Sequence, residues 1–272
     1  MSKNNKFALA AVLSAFAFVG SVSAATISFG GVSASDSSGL TSQFIDPSDA
    51  QGTNGFFIET FDGPFGDTSF NDPSPIIVDG EEFGFDNECS VNSLVGDSPV
   101  VLTSAGDNFG VRAGSVPGVA AAPADDETCF GYVSNGGAGS ASIEFDYSNL
   151  LAANNDTGIT YLGFYWGSVD TFNNFEFFSG GVLVDSISGP ELLAALNGTP
   201  GDQQDPGSNA YVNINFSFAE AFDTLVLTST GVATEFDNIV IGLSLRPVSA
   251  PATIALLACS MLLLSLRSRF RK

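Results

Sequence analysis

"YVNINFSF", Tyr211 to Phe218, decides the fold. Its apolar side chains Val212, Ile214, Phe216 and Phe218 alternate with Asn213, Asn215 and Ser217, the period of a strand with one buried and one wet face. "SIEFDY" repeats the pattern, sending Ile143, Phe145 and Tyr147 inward while Ser142, Glu144 and Asp146 face out. "ITYLGFYWG", "GVLVDSI", "TLVLTST" and "FDNIVIG" add β-branched and aromatic runs bounded by Gly, Asn and Asp, and "TISF", "GFFIETF", "PIIV" and "VVLT" are earlier candidates. Only "PELLAAL", Pro190 to Leu196, reads as a helix, with proline in its first turn. The pattern predicts an all-β chain folded as an antiparallel β-sandwich. Residues 30–140 are richer in Pro, Gly and Asp and end in "SNGGAGS". They form either a long decorated loop system of one sandwich, the organisation preferred, or a separate, poorly ordered lobe.

The charges are one-sided. All thirty Asp and Glu lie between Asp36 and Asp237, and Arg112 and Arg246 are the only basic residues between Ala25 and Val248. Such a field repels nucleic acid, anionic lipid and anionic polysaccharide and attracts cations; most of these acids serve equally as a solvated surface. There is no histidine, and no lysine in the body, which excludes Ser-His-Asp and Cys-His catalysis, imidazole-bound zinc and Schiff-base chemistry. Thirty acids make a chance carboxylate pair easy to find, so no glycosidase pair is assigned. Cys89 and Cys129 fall in the body and Cys259 in the terminal apolar segment. In an oxidising compartment the first two pair and close a loop of about 40 residues; otherwise they are free thiols.

Both ends carry export signals. Lys3 and Lys6 precede an apolar run from Phe7 to Gly20 and then "SVSA", the layout of a secretory signal cut after Ala24. At the other end Ala252 to Leu266 is uncharged and is followed by Arg267, Arg269, Arg271 and Lys272. As a helix these fifteen residues reach about 22 Å against a hydrocarbon core of about 30 Å, a gap that Val248 to Pro251 and snorkelling arginines largely close. The basic cluster belongs on the cytoplasmic side, placing the rest outside. The competing reading is a buried amphipathic helix of the body. Together, the leader, Ser249-Ala250-Pro251-Ala252-Thr253, the short apolar helix and the arginine cluster resemble a PEP-CTERM protein, with Ser249 and Ala250 standing where Pro and Glu are usual. The resemblance implies a Gram-negative surface protein, transiently anchored in the inner membrane and sorted by an exosortase-like enzyme. The expected organisation is a signal peptide over 1–24, an extracytoplasmic β-sandwich over 25–247 and a sorting signal over 248–272.

The body, too, resembles PEP-CTERM surface proteins through "YLGFYWGSVDTFNNFEFFSGG" and "EFDNIVIG", a module similar to galactose-binding and carbohydrate-binding jelly rolls. That likeness covers residues 140–243. It implies a calcium ion tying an early acidic segment to the last strand, with Glu59 and Asp62 from "FFIETFDG" meeting Asp237 and Asn238 from "TEFDNI", where Glu235 also lies; the alternative is polar strand-end turns. Separately, Trp166, the sole tryptophan, stands near Asp170, Asn173 and Asn174. An aromatic ring beside carboxylate and amide groups suits sugar recognition, while the same ring serves equally as sandwich core. The expected function is a non-catalytic structural or adhesive role at the cell surface, in matrix or in biofilm, with polysaccharide or other surface proteins as partners. A carbohydrate-binding module is the second reading and a polysaccharide hydrolase the third.

Overall fold

The computed structural model describes residues 25–49, 54–62, 76–78, 81–83, 89–91, 100–105, 109–134, 139–155 and 157–245. The expected leader over 1–24, the sorting segment over 248–272 with Cys259, and the middle of "SNGGAGS" lie outside them. Among the described residues sixteen strands follow in chain order. They are β1 (Thr26–Phe29), β2 (Val32–Ser33), β3 (Leu40–Thr41), β4 (Phe56–Glu59), β5 (Ile76–Val78), β6 (Glu81–Phe83), β7 (Val101–Ala105), β8 (Phe109–Ala113), β9 (Cys129–Val133), β10 (Ala141–Asp146), β11 (Gly158–Gly167), β12 (Asn173–Ser179), β13 (Val182–Ser188), β14 (Ala210–Asn215), β15 (Thr224–Ser229) and β16 (Thr234–Ser244). The helices are α1 (Ser148–Ala153) and α2 (Gly189–Leu196). Among the described residues no helix is long and apolar enough to cross a membrane.

The chain is an all-β sandwich of antiparallel sheets. A seven-stranded sheet runs β1-β14-β11-β16-β9-β8, with β4 also paired to β16; a five-stranded sheet runs β13-β12-β15-β10-β7. Strands of the looser first half, β4, β7, β8 and β9, thus enter the same two sheets as the regular second half. The apolar alternation read from the sequence supplies the layer between them. Val212, Ile214 and Phe216 meet Ile143, Phe145, Tyr147, Leu225 and Leu227 in one buried cluster. Aromatic rings knit the layer: Phe236 stacks on Phe109 and meets Phe145, Phe175 and Phe61 edge-on.

Two local expectations are corrected. Phe218 does not continue the strand: β14 stops at Asn215, and a 3-10 turn over Phe218–Glu220 begins at Ser217, whose N–H and hydroxyl both donate to Glu220 Oε2 at 3.0 and 2.6 Å. The reciprocal Ser-x-x-Glu capping pattern wins over strand alternation here. The second helix, α1, was hidden by its shortness; Leu150 anchors it in the core.

Candidate functional site

The last strand positions a buried polar group around Asp237 and Asn238. Along β11 the register steps from Gly163 opposite Val240 to Tyr165 opposite Asp237, so two residues of β16 face one of β11, a β-bulge. Asn238 sits in the left-handed region at φ 47°, which asparagine tolerates better than most side chains. The bulge breaks strand alternation. Phe236 and Ile239 both join the inter-sheet core, and between them Asp237 and Asn238 are both drawn into polar surroundings. On the other edge of β16, β9 pairs up to Phe236 and β4 takes over at Ile239, so the same two residues mark the change of partner.

Loops from the first half cover this point. Ser38 bridges to Asp126, Glu127 donates its N–H to Ser37 O, and the Tyr165 hydroxyl donates to Ala124 O at 2.6 Å. Gly39, at φ 73°, lies so close that a Cβ there would strike the Tyr165 ring. Asn238 Nδ2 donates to Ser38 Oγ at 2.7 Å and to Leu40 O at 3.1 Å. From the neighbouring join, Asp62 bridges to Cys89 and its Oδ1 accepts the Cys129 N–H at 3.0 Å. Cys89 and Cys129 are disulfide-bonded, as the sequence allowed.

What stands out electrostatically is what Asp237 lacks. It is 0 % exposed, yet apart from a weak approach of the adjacent Asn238 N–H its carboxylate oxygens have no hydrogen-bond partner; Asn238 Oδ1 and Asp126 Oδ2 are likewise buried and unpartnered. Burial, then the negative charges of Asp126 and Asp62, push the Asp237 carboxyl far above the usual range. Burial raises Asp62 to about 7 and Asp126 to about 6. Asp126 and Asp36 each commit Oδ1 to local turns, Asp126 to Thr128 and Asp36 to Ser38. Buried, unpaired oxygens are costly, and oxygen-only surroundings suit a hard cation. Among the described residues no group of three or more acidic or cysteine side chains forms a metal cage by itself, so amide and carbonyl oxygens would have to complete the set.

The four residues expected to hold calcium are therefore divided. Asp62, Asp237 and Asn238 belong to this neighbourhood. Glu59 alternates with Ile58 along β4, accepts the Phe61 N–H at 2.9 Å, and its charge acts on the core hydroxyl of Tyr147. Asp126 and Asp36 join instead. Nothing in the sequence links Asp36, Asp126 and Asp237, which come together only through the covering loops.

The expected sugar-binding residues are also dispersed. Trp166 is 0 % exposed and packs against Phe164 and Phe175 at centroid distances of 5.8 and 4.4 Å, so its ring offers no face to a ligand. Asn173 is buried, accepting the Asp170 N–H and donating to Ala233 O, a structural role. Asn174 lies partly exposed on β12. Asp170 borders a separate cleft of about 230 Å³ with Glu235, whose oxygens take the Ala121 N–H and the Ser168 hydroxyl; burial lifts Glu235 to about 7. No family model matches the chain, and no curated protein matches it.

Proposed function

We propose that this is an exported, exosortase-sorted protein of the cell surface or extracellular matrix, with a structural or adhesive role and no catalysis. Its body would be a jelly roll delivered by residues 1–24 and sorted by residues 248–272. The observation that carries the reading is the Cys89–Cys129 bridge, because such bonds persist in oxidising compartments outside the cytosol. The acidic, lysine-free body supports it, being poorly suited to nucleic acid or anionic membrane.

The orphaned oxygens of Asp237, Asn238 and Asp126 fit calcium, with Asp62 and Asp36 as nearby acids. These residues would hold the ion between the last strand and the first-half loops, and the ion would neutralise carboxylates that otherwise repel one another. Partners would be an exosortase-like enzyme during sorting and polysaccharide or other surface proteins afterwards. Fractionation with mass spectrometry of the mature protein, in cells with and without exosortase, tests the reading. The expected product begins at Ala25 and lacks residues 248–272 only when the enzyme is present. A C-terminus at Lys272 in both strains contradicts sorting.

A further inference from the structure

Large apolar side chains are seldom exposed in the described residues, and two that are, Val32 at 47 % and Phe44 at 42 %, line a single cleft of about 220 Å³. Ser28, Gln43, Asn213 and Asn215 share its walls, and no charged side chain lines it, although the body carries thirty acids. The cleft is built on the β1-β14-β11 end of the seven-stranded sheet. Phe44 is held rigidly: one face stacks on Phe56 at 4.6 Å and 7°, and Tyr161 meets it edge-on at 5.0 Å. Asn213 is fixed as well, its Oδ1 accepting the Tyr161 hydroxyl at 2.7 Å and its Nδ2 donating to Gly30 O at 2.8 Å. Gly31 in its lining packs so closely that a Cβ there would strike Thr41 O and Tyr211.

We infer that this cleft binds one ring of an uncharged polysaccharide chain. The argument rests on the surface-protein reading above and names a partner for it. A pyranose has an apolar C–H face that covers an aromatic ring, and a rim of hydroxyls that both donate and accept. Phe44 and Val32 answer the first, and the amides of Asn213, Asn215 and Gln43, which also donate and accept, answer the second. Charge selects against the alternatives. The acidic field of the body opposes an anionic glycan, and a cationic one finds no carboxylate in this cleft. The volume admits a single ring, so affinity would come from repeated units along the chain or from many copies of the protein.

Saturation-transfer NMR on the whole exported protein tests this with three probes: neutral gluco-oligosaccharides, oligogalacturonate and chitosan oligomers. The neutral probe is expected to receive saturation that Phe44→Ala diminishes and oligogalacturonate to receive none, while any chitosan signal drawn by the acidic surface should be unchanged by Phe44→Ala and fade in salt. Phe44→Ala should weaken neutral binding at least about tenfold. Asn215→Ala, which removes an exposed amide at the end of β14, should weaken it several-fold with an unchanged melting temperature. Absence of transfer to every neutral probe, binding of a charged probe in its place, or undiminished binding in both variants would overturn the inference. None of these results depends on where the protein is processed, so the sorting experiment fails or succeeds separately.

Discussion

Asp237 is the residue on which most of the site depends, and its behaviour separates a bound ion from a protonated acid. Burial pushes its carboxyl above the usual range, which favours the protonated form when no cation is bound, and an amide is a near-isosteric stand-in for that form. Asp237→Asn should therefore leave the chelated protein within about 1 kcal/mol of the parent. The parent should melt higher with calcium than with EDTA, by about 3 kcal/mol at a hundredfold excess over Kd, and the variant should show no shift. Differential scanning calorimetry reads both; a parent insensitive to EDTA sinks the ion. Trp166 makes the opposite case. Its ring lies wholly inside the aromatic layer, so Trp166→Ala should cost about 3–5 kcal/mol in a denaturant melt, whatever ligands are present. The sequence alone left core and sugar platform open for Trp166, because one aromatic in a strand satisfies both patterns. It could not show Asp126 or Asp36 beside Asp237, since contacts across 100 to 200 positions leave no local periodicity.

Among the elements, the strands with a clean two-residue period were legible because one of their faces is wet. β10 alternates buried Ile143 and Phe145 with more exposed Ser142 and Glu144 in the structure as in the sequence. β16 was legible as a strand but not as a bulged one: it is buried on both faces over most of its length, so its pattern carries no mark of which side each residue takes. β2 and β3, two residues each, are too short for any period. Helix α2 followed from Pro190 and is held at its start by Ser188, whose N–H and hydroxyl donate to Glu191 Oε2 at 2.8 and 2.6 Å. Those bonds, the hydroxyl's foremost, hold the Glu191 carboxyl below its ordinary value. A lowered acid contributes stability above its unfolded value and loses it as pH falls through the folded one. Ser188→Ala should then cost about 1 kcal/mol near neutrality, a difference that shrinks in acid melts below about pH 4.

For the whole molecule, the disulfide ties the join between β4 and β9 to the sheet that carries the site. Its loop of 40 residues is worth about 4 kcal/mol in the loop-entropy model, so Cys89→Ser with Cys129→Ser should lower the urea midpoint accordingly while keeping the sheets. That bridge and the acidic field are what support the proposal of a protein that works outside the cytoplasm. Intact-mass analysis of the protein recovered from the exporting cells asks the question most directly. The expected species starts at Ala25, is two hydrogens lighter than its reduced form, and is found at the surface or in the medium. A folded chain in the cytosol, with residues 1–24 attached and both thiols free, would contradict it.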